Sequence, residues 1–158
     1  MNHKALLPLL GFCLALLSSC SHIKEPEFRR IEGFKVKSFG LSEVKVGFKV
    51  TYFNPNNFGV TAKEAHVDVY LDSLFVGNFT SDSAVPVRRN ADFSIPLTGT
   101  IPVQKAMELN LPQMAQRDVL IRANGSIKVG KAGIYVTEPI KYEGKHSIYA
   151  LGKFYDTQ

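Results

Sequence analysis

Residues 48–71 read FKVTYFNPNNFGVTAKEAHVDVYL, two alternating apolar runs joined by a polar corner. Ahead of the corner Val44, Val46, Phe48, Val50 and Tyr52 fall on one face; after it Ala65, Val67, Val69 and Leu71 do the same. A period of two means a strand with one face in a core and the other in water. The corner is explained by its own residues. An asparagine at position 54 can accept a hydrogen bond from the backbone two residues on, Pro55 sets φ and offers no N–H, and Asn56, Asn57 and Gly59 tolerate positive φ. The chain therefore leaves one strand, turns sharply, and enters a second near Phe58 and Val60.

The same alternation recurs on both sides. Phe34 and Val36 alternate with Lys35 and Lys37 in a first strand, Ile31 to Ser38, broken by Gly40. Asp72-Ser73 is a turn, and Leu74 to Phe79 is a short strand. Val85 to Asn90 reads as an extended edge around Pro86, and Asn90-Ala91 as a tight turn. Asp92 to Ile101 is a strand in which Pro96 requires an edge or a bulge. Pro102 to Ala115 changes period and predicts one short amphipathic helix, disturbed by Pro112. Asp118 to Val129 returns to strand, with Asn124-Gly125 marking a kink. A hairpin loop at Gly130 to Gly133, a strand from Ile134 to Ile140 and a last one from Tyr142 to Leu151 follow. Seven to eight short strands with one helix predict an all-β fold, an antiparallel two-sheet sandwich. The predicted core contains Phe48, Val50, Val67, Val69, Ile121 and Ile127, with Lys45, Lys49, Asp68 and Arg122 outside it.

The first 30 residues are of another kind. Residues 1–19 carry Lys4 and then an apolar run, Ala5 to Leu17, too short to span a bilayer and of signal-peptide length. Leu17-Ser18-Ser19-Cys20 then resembles a bacterial lipobox, an aliphatic residue and two small ones before a cysteine. That resemblance implies cleavage ahead of Cys20 and its acylation, with diacylglycerol and palmitate as the chains expected. Each buried CH₂ of such chains contributes about 0.8 kcal/mol, so two or more anchor stably. Residues 20–30 read as a lipidated tether and 31–158 as the domain. Ser21 after the cysteine implies outer-membrane sorting if the rule of enteric bacteria applies.

Asn54, Pro55 and Asn56, set between two alternating strands, resemble the signature of the late-embryogenesis-abundant type 2 family, also called the WHy domain. The resemblance covers about Phe34 to Ile148. It implies an immunoglobulin-like or fibronectin-like sandwich and a non-enzymatic part in desiccation or envelope stress.

Composition narrows the alternatives. The chain has a net charge of +5, with basic residues spread singly apart from Arg29-Arg30 and Arg88-Arg89. Nucleic-acid binding calls for clustered cations interleaved with aromatics, so none is expected. Both cysteines, Cys13 and Cys20, precede the domain, which excludes a disulfide or thiolate metal site within it. His66, Asp68 and Asp72 share the outer face of one strand, where a flat carboxylate pair coordinates poorly. Neither a nucleophile–base pattern nor a phosphate-binding glycine loop is present. No catalytic residue, metal, cofactor or small-molecule substrate is expected. The expected partners are the membrane, through Cys20, and an envelope protein if the chain is instead an assembly subunit. Asn54, Pro55 and Asn56 read either as a structural corner or as a contact loop, and local turn chemistry favours the corner.

Overall fold

The structure, a computed structural model, describes residues 23–114 and 116–147. The expected signal peptide, Cys20 and the end of the expected last strand beyond residue 147 lie outside them. The strands are β1 (Glu27–Phe39), β2 (Glu43–Asn54), β3 (Val60–Leu71), β4 (Leu74–Ser81), β5 (Val85–Val87), β6 (Ala91–Pro102), β7 (Asp118–Lys131) and β8 (Ile134–Ser147). Two short helices, α1 (Val103–Glu108) and α2 (Leu111–Met114), sit between β6 and β7. The fold is all-β, and every strand pair is antiparallel.

The hydrogen bonds join all eight strands into one sheet, ordered β1-β2-β6-β4-β3-β7-β8, with β5 on β3, where two separate sheets were expected. The joint is narrow: β4 meets β6 only at Phe79↔Gly99 and Thr80↔Thr98. Gly99 is what makes it close. The Phe79 ring lies where a Cβ on residue 99 would stand. Across this joint the sheet curls, and its two edges approach. Phe28 of β1 lies 4.9 Å from the Tyr142 ring and 5.4 Å from the His146 ring of β8, centroid to centroid. Inside the curl sits the core, with Val46, Val67, Phe79, Ile95, Leu97, Val119 and Ile127 among its members.

Several expectations are corrected by this arrangement. β8 is one strand through Pro139, where two were expected. Among the described residues it is an edge strand paired only with β7, so a missing N–H is tolerated. β6 is internal, paired with β2 along its whole length. Its β4 contact reaches only residues 98 and 99, so Pro96 interrupts no ladder on that side. β1 begins at Glu27 and takes in residues expected to belong to the tether. The predicted single helix is two pieces, because Leu109 is extended (ψ 92°) and Asn110 starts a new turn by accepting from Gln113 and Met114. The irregularity opposite β7 lies in β3, where Glu64 has φ +50° between Lys63 and His66, and not at Asn124-Gly125.

Val67, Ile121 and Ile127 are buried, while Phe48, Val50 and Val69 are half-buried against the core. Lys45 and Lys49 are exposed, but Asp68 and Arg122 are half-buried. Thr51, on the face opposite Val50, is only 1% exposed. Its hydroxyl bonds Ser94 Oγ at 2.8 Å and donates to Glu32 Oε1 at 3.1 Å. Polar pairs thus cover part of β2's second face.

Ile121→Ala is expected to destabilise the protein by about 2–5 kcal/mol through lost burial and a residual cavity. Lys45→Ala should change stability by less than about 0.5 kcal/mol. Gly99→Ala should cost about 1–3 kcal/mol by overpacking the joint. Urea unfolding checks all three, and equal shifts for Ile121→Ala and Lys45→Ala would contradict the placement of the core.

Candidate functional site

Asn54 ends β2 and is 4% exposed. Its Oδ1 accepts from the Asn56 backbone N–H at 3.1 Å, the Asx-type contact that the sequence predicts. The same oxygen accepts from Asn56 Nδ2 at 2.9 Å. Its Nδ2 donates to the carbonyls of Phe58 at 2.9 Å and Arg88 at 3.0 Å. A primary amide has two donor hydrogens and two acceptor lone pairs, so Asn54 is fully used. Asn56, 9% exposed, extends the network. Its Nδ2 also donates to the Lys24 carbonyl at 2.8 Å, and its Oδ1 accepts from the Lys24 N–H at 2.9 Å. The Asn56 carbonyl accepts from the Asn90 N–H at 3.0 Å.

Two asparagines therefore hold four segments together: the end of β2, the turn that leads into β3, the β5–β6 loop and the N-terminal stretch ahead of β1. Pro55, half-buried between them, has no N–H left to satisfy. The contact within the corner was legible in the sequence. The links to Lys24, Arg88 and Asn90 were not, because backbone groups carry no residue-type signal. What the cluster offers chemically is donors and acceptors already committed to backbone groups. It contains no nucleophile and no titratable group.

The other singled-out residues lie apart. His66 is exposed, and Asp68 accepts from Asn78 Nδ2. Asp72 is turned toward β7, accepting from Arg117 Nη2 at 2.7 Å and from the Leu120 N–H at 3.1 Å. Among the described residues, no group of three or more His, Cys, Asp or Glu is arranged to hold a metal. A shallow polar depression of about 530 Å³ is lined by Lys37, Lys45, Thr80, Asp82 and Thr98, among others. Lys37 Nζ donates to Thr98 Oγ1 there at 2.7 Å. His146, half-buried, meets the Tyr142 hydroxyl at 2.5 Å beside Phe28.

Three carboxylates are held below their usual range. The cause is first Arg117 and then the Leu120 N–H for Asp72, chiefly Arg30 for Glu32, and first Lys128 and then Lys63 for Glu64. Burial raises the Tyr52 phenol.

No protein-family model matches the chain, and no curated protein matches it. Among solved structures it is similar to a crystal structure of a protein from Archaeoglobus fulgidus, at 10% identity and TM-score 0.47, over 77% of this chain and 97% of that one. It is also similar to a protein from Arabidopsis thaliana solved in solution, at 13% identity and TM-score 0.49, over 78% of this chain and 80% of that one. A third similar structure is that of a candidate late embryogenesis abundant protein, at 14% identity and TM-score 0.31, over 89% of this chain and 82% of that one. Similarity at these values carries nothing about binding or activity.

Asn54→Ala removes the amide that satisfies four partners and is expected to cost at least about 1–3 kcal/mol in urea unfolding. Pro55→Ala should cost about 0.4–1 kcal/mol through the freer unfolded chain. A carboxylate with a depressed folded pKa contributes stability above its unfolded value, near 4, that is lost as pH falls through the lower folded value. The thermal midpoint should accordingly drop as pH is taken below about 4. Asp72→Asn, measured alongside, should show a smaller drop than the parent.

Proposed function

We propose that this chain is a membrane-tethered, non-enzymatic module of the late-embryogenesis-abundant type 2 kind. It is anchored through Cys20 in a bacterial envelope and protects envelope macromolecules during desiccation or envelope stress. In this reading the two sides of the curled sheet act as the layers of an immunoglobulin- or fibronectin-like sandwich. The observation that carries the proposal is the pairing of Lys24 with Asn56, through both its N–H and its carbonyl. A segment a few residues after Cys20 is thereby bonded onto the sheet through the signature asparagines. The corner then has a purpose suited to a tethered domain: it joins the tether to the fold and leaves no free reactive group.

An assembly subunit is the second reading. Its support is the apolar surface at the β1–β2 turn, where Phe39 is 77% and Leu41 fully exposed. Val103 N–H bonds the Ser42 carbonyl at 2.9 Å, so α1, with Met107 exposed, starts beside that turn. A partner protein of the envelope would cover such a surface.

Mass spectrometry of membrane-extracted protein is expected to find an acylated Cys20 at the mature N-terminus, and Cys20→Ala should move the protein to the soluble fraction. An unmodified Cys20 contradicts the anchor. Protection of a test enzyme through drying, with no stoichiometric partner in a pull-down from membranes, supports shielding. A stable partner lost on Leu41→Asp supports assembly.

A further inference from the structure

The Asn54–Asn56 corner gathers a set of exposed side chains as well as backbone groups. Asn54 Nδ2 bonds the carbonyls of Phe58 and Arg88 together, and Asn56 holds Lys24 and Asn90. Around this one cluster stand Ile23, 72% exposed, and Phe58, 37% exposed, with Lys24, Arg88 and Arg89 also exposed. None of these three cations has a salt bridge among the described residues. Glu25 and Glu27 are the acids in the same stretch, and Glu27 is paired with Arg29 at 3.2 Å. Exposed apolar side chains interleaved with unpaired cations match the interface of an anionic bilayer, where the former enter the headgroup boundary and the latter meet phosphate.

The chain outside the described residues says which occupant to expect. Ile23 follows Cys20 by three residues and the apolar run ending at Leu17 by six. At about 3.6 Å per extended residue, these bridge at most about 11 and 22 Å. β1 then carries the chain away from the corner over 13 residues, about 40 Å at the usual strand rise. The corner is therefore the end of the molecule closest to any membrane-held N-terminal segment, and Leu41 lies at the far end of β1.

We infer that the corner, with Ile23, Phe58, Lys24, Arg88 and Arg89, is a docking surface for an anionic phospholipid bilayer. The inference rests on the membrane-tethered reading for its geometry. Through it the Asn56–Lys24 pairing sets the domain's orientation: the corner faces the headgroups, and the β1–β2 turn points away from them.

The chain contains no tryptophan, so a single introduced one reports its own surroundings. Full-length Phe58→Trp and Leu41→Trp proteins would be reconstituted in phosphatidylcholine vesicles, with and without phosphatidylglycerol, carrying brominated acyl chains. The expected result is quenching of the Phe58→Trp variant, stronger with phosphatidylglycerol, and none of the Leu41→Trp variant. Adding Arg88→Gln and Arg89→Gln should reduce the quenching to its level on phosphatidylcholine alone, with an unchanged urea midpoint. Quenching of Leu41→Trp in place of Phe58→Trp, of neither, or of Phe58→Trp regardless of phosphatidylglycerol and of the two arginines, overturns the proposal. The mass of the same protein reports Cys20 separately. An unacylated Cys20 with Phe58→Trp quenched sinks the anchor and keeps the surface, and an acylated one with Phe58→Trp unquenched does the reverse.

Discussion

A turn that buries its backbone must find partners for every N–H and carbonyl it takes out of water. Here one side-chain amide does most of that. Asn54 is nearly inaccessible, and all four of its hydrogen-bonding positions are filled, three of them by main-chain groups of residues 56, 58 and 88. Aspartate would offer acceptors without the two donors. A hydroxyl residue has one donor and would leave a carbonyl unpaired. Once Asn54 is in place, the direction of β3 relative to β2 is set, and the β5–β6 loop is held against both. Asn56, positioned by Asn54, is then free to reach the other way to Lys24. The N-terminal stretch is placed by a relay of two amides and not by burial of its own side chains.

The second constraint is steric. A sheet of eight strands with one apolar face must cover that face, and this one does so by folding over a joint two residue pairs wide. Gly99 lets Phe79 lie directly across the joint. With Phe79 there, Phe48 packs on it at 5.1 Å between ring centroids, linking β2 to β4 across the core. At the open side the edges are closed by rings: Phe28 of β1 meets Tyr142 and His146 of β8, and beside Phe28 Tyr52 of β2 stacks on its cross-strand neighbour Phe93 of β6 at 5.9 Å. Among the described residues, aromatic contact takes the place of a hydrogen-bonded ladder between β1 and β8, and both edges keep unpaired backbone. β1 moderates that exposure with three register shifts, a recognised way to keep an edge from pairing with another chain.

Part of the charge is tied up in ion pairs within the fold. Asp72 with Arg117, and Glu64 with Lys63 and Lys128, are spent on holding turns and a bulge. They screen one another and project little field. Among the described residues Lys24, Arg88 and Arg89 form no ion pair, and they face solvent beside the corner. In a chain of modest net charge, where the unpaired cations stand matters more to what it can approach than how many there are.

The run of alternating strands, the apolar face of β2 and β3, the corner's Asx turn and the shift to helix after Pro102 were determined by the sequence alone. Each depends on residues adjacent or a few positions apart: the alternation of Val44 to Tyr52, the amide of Asn54, the fixed φ of Pro55. The lipobox-like Leu17-Ser18-Ser19-Cys20 is likewise a local pattern. Tertiary structure decided what depends on distant groups. That Pro96 sits in an internal strand follows from how short the β4 contact is, and that Pro139 continues a strand follows from β8 being an edge. The bulge fell at Glu64 and not at Asn124-Gly125 because register is a property of two strands together. Lys24, Arg88 and Asn90 came to the corner through main-chain atoms, which are the same in every residue, so no reading of side chains along the chain finds them.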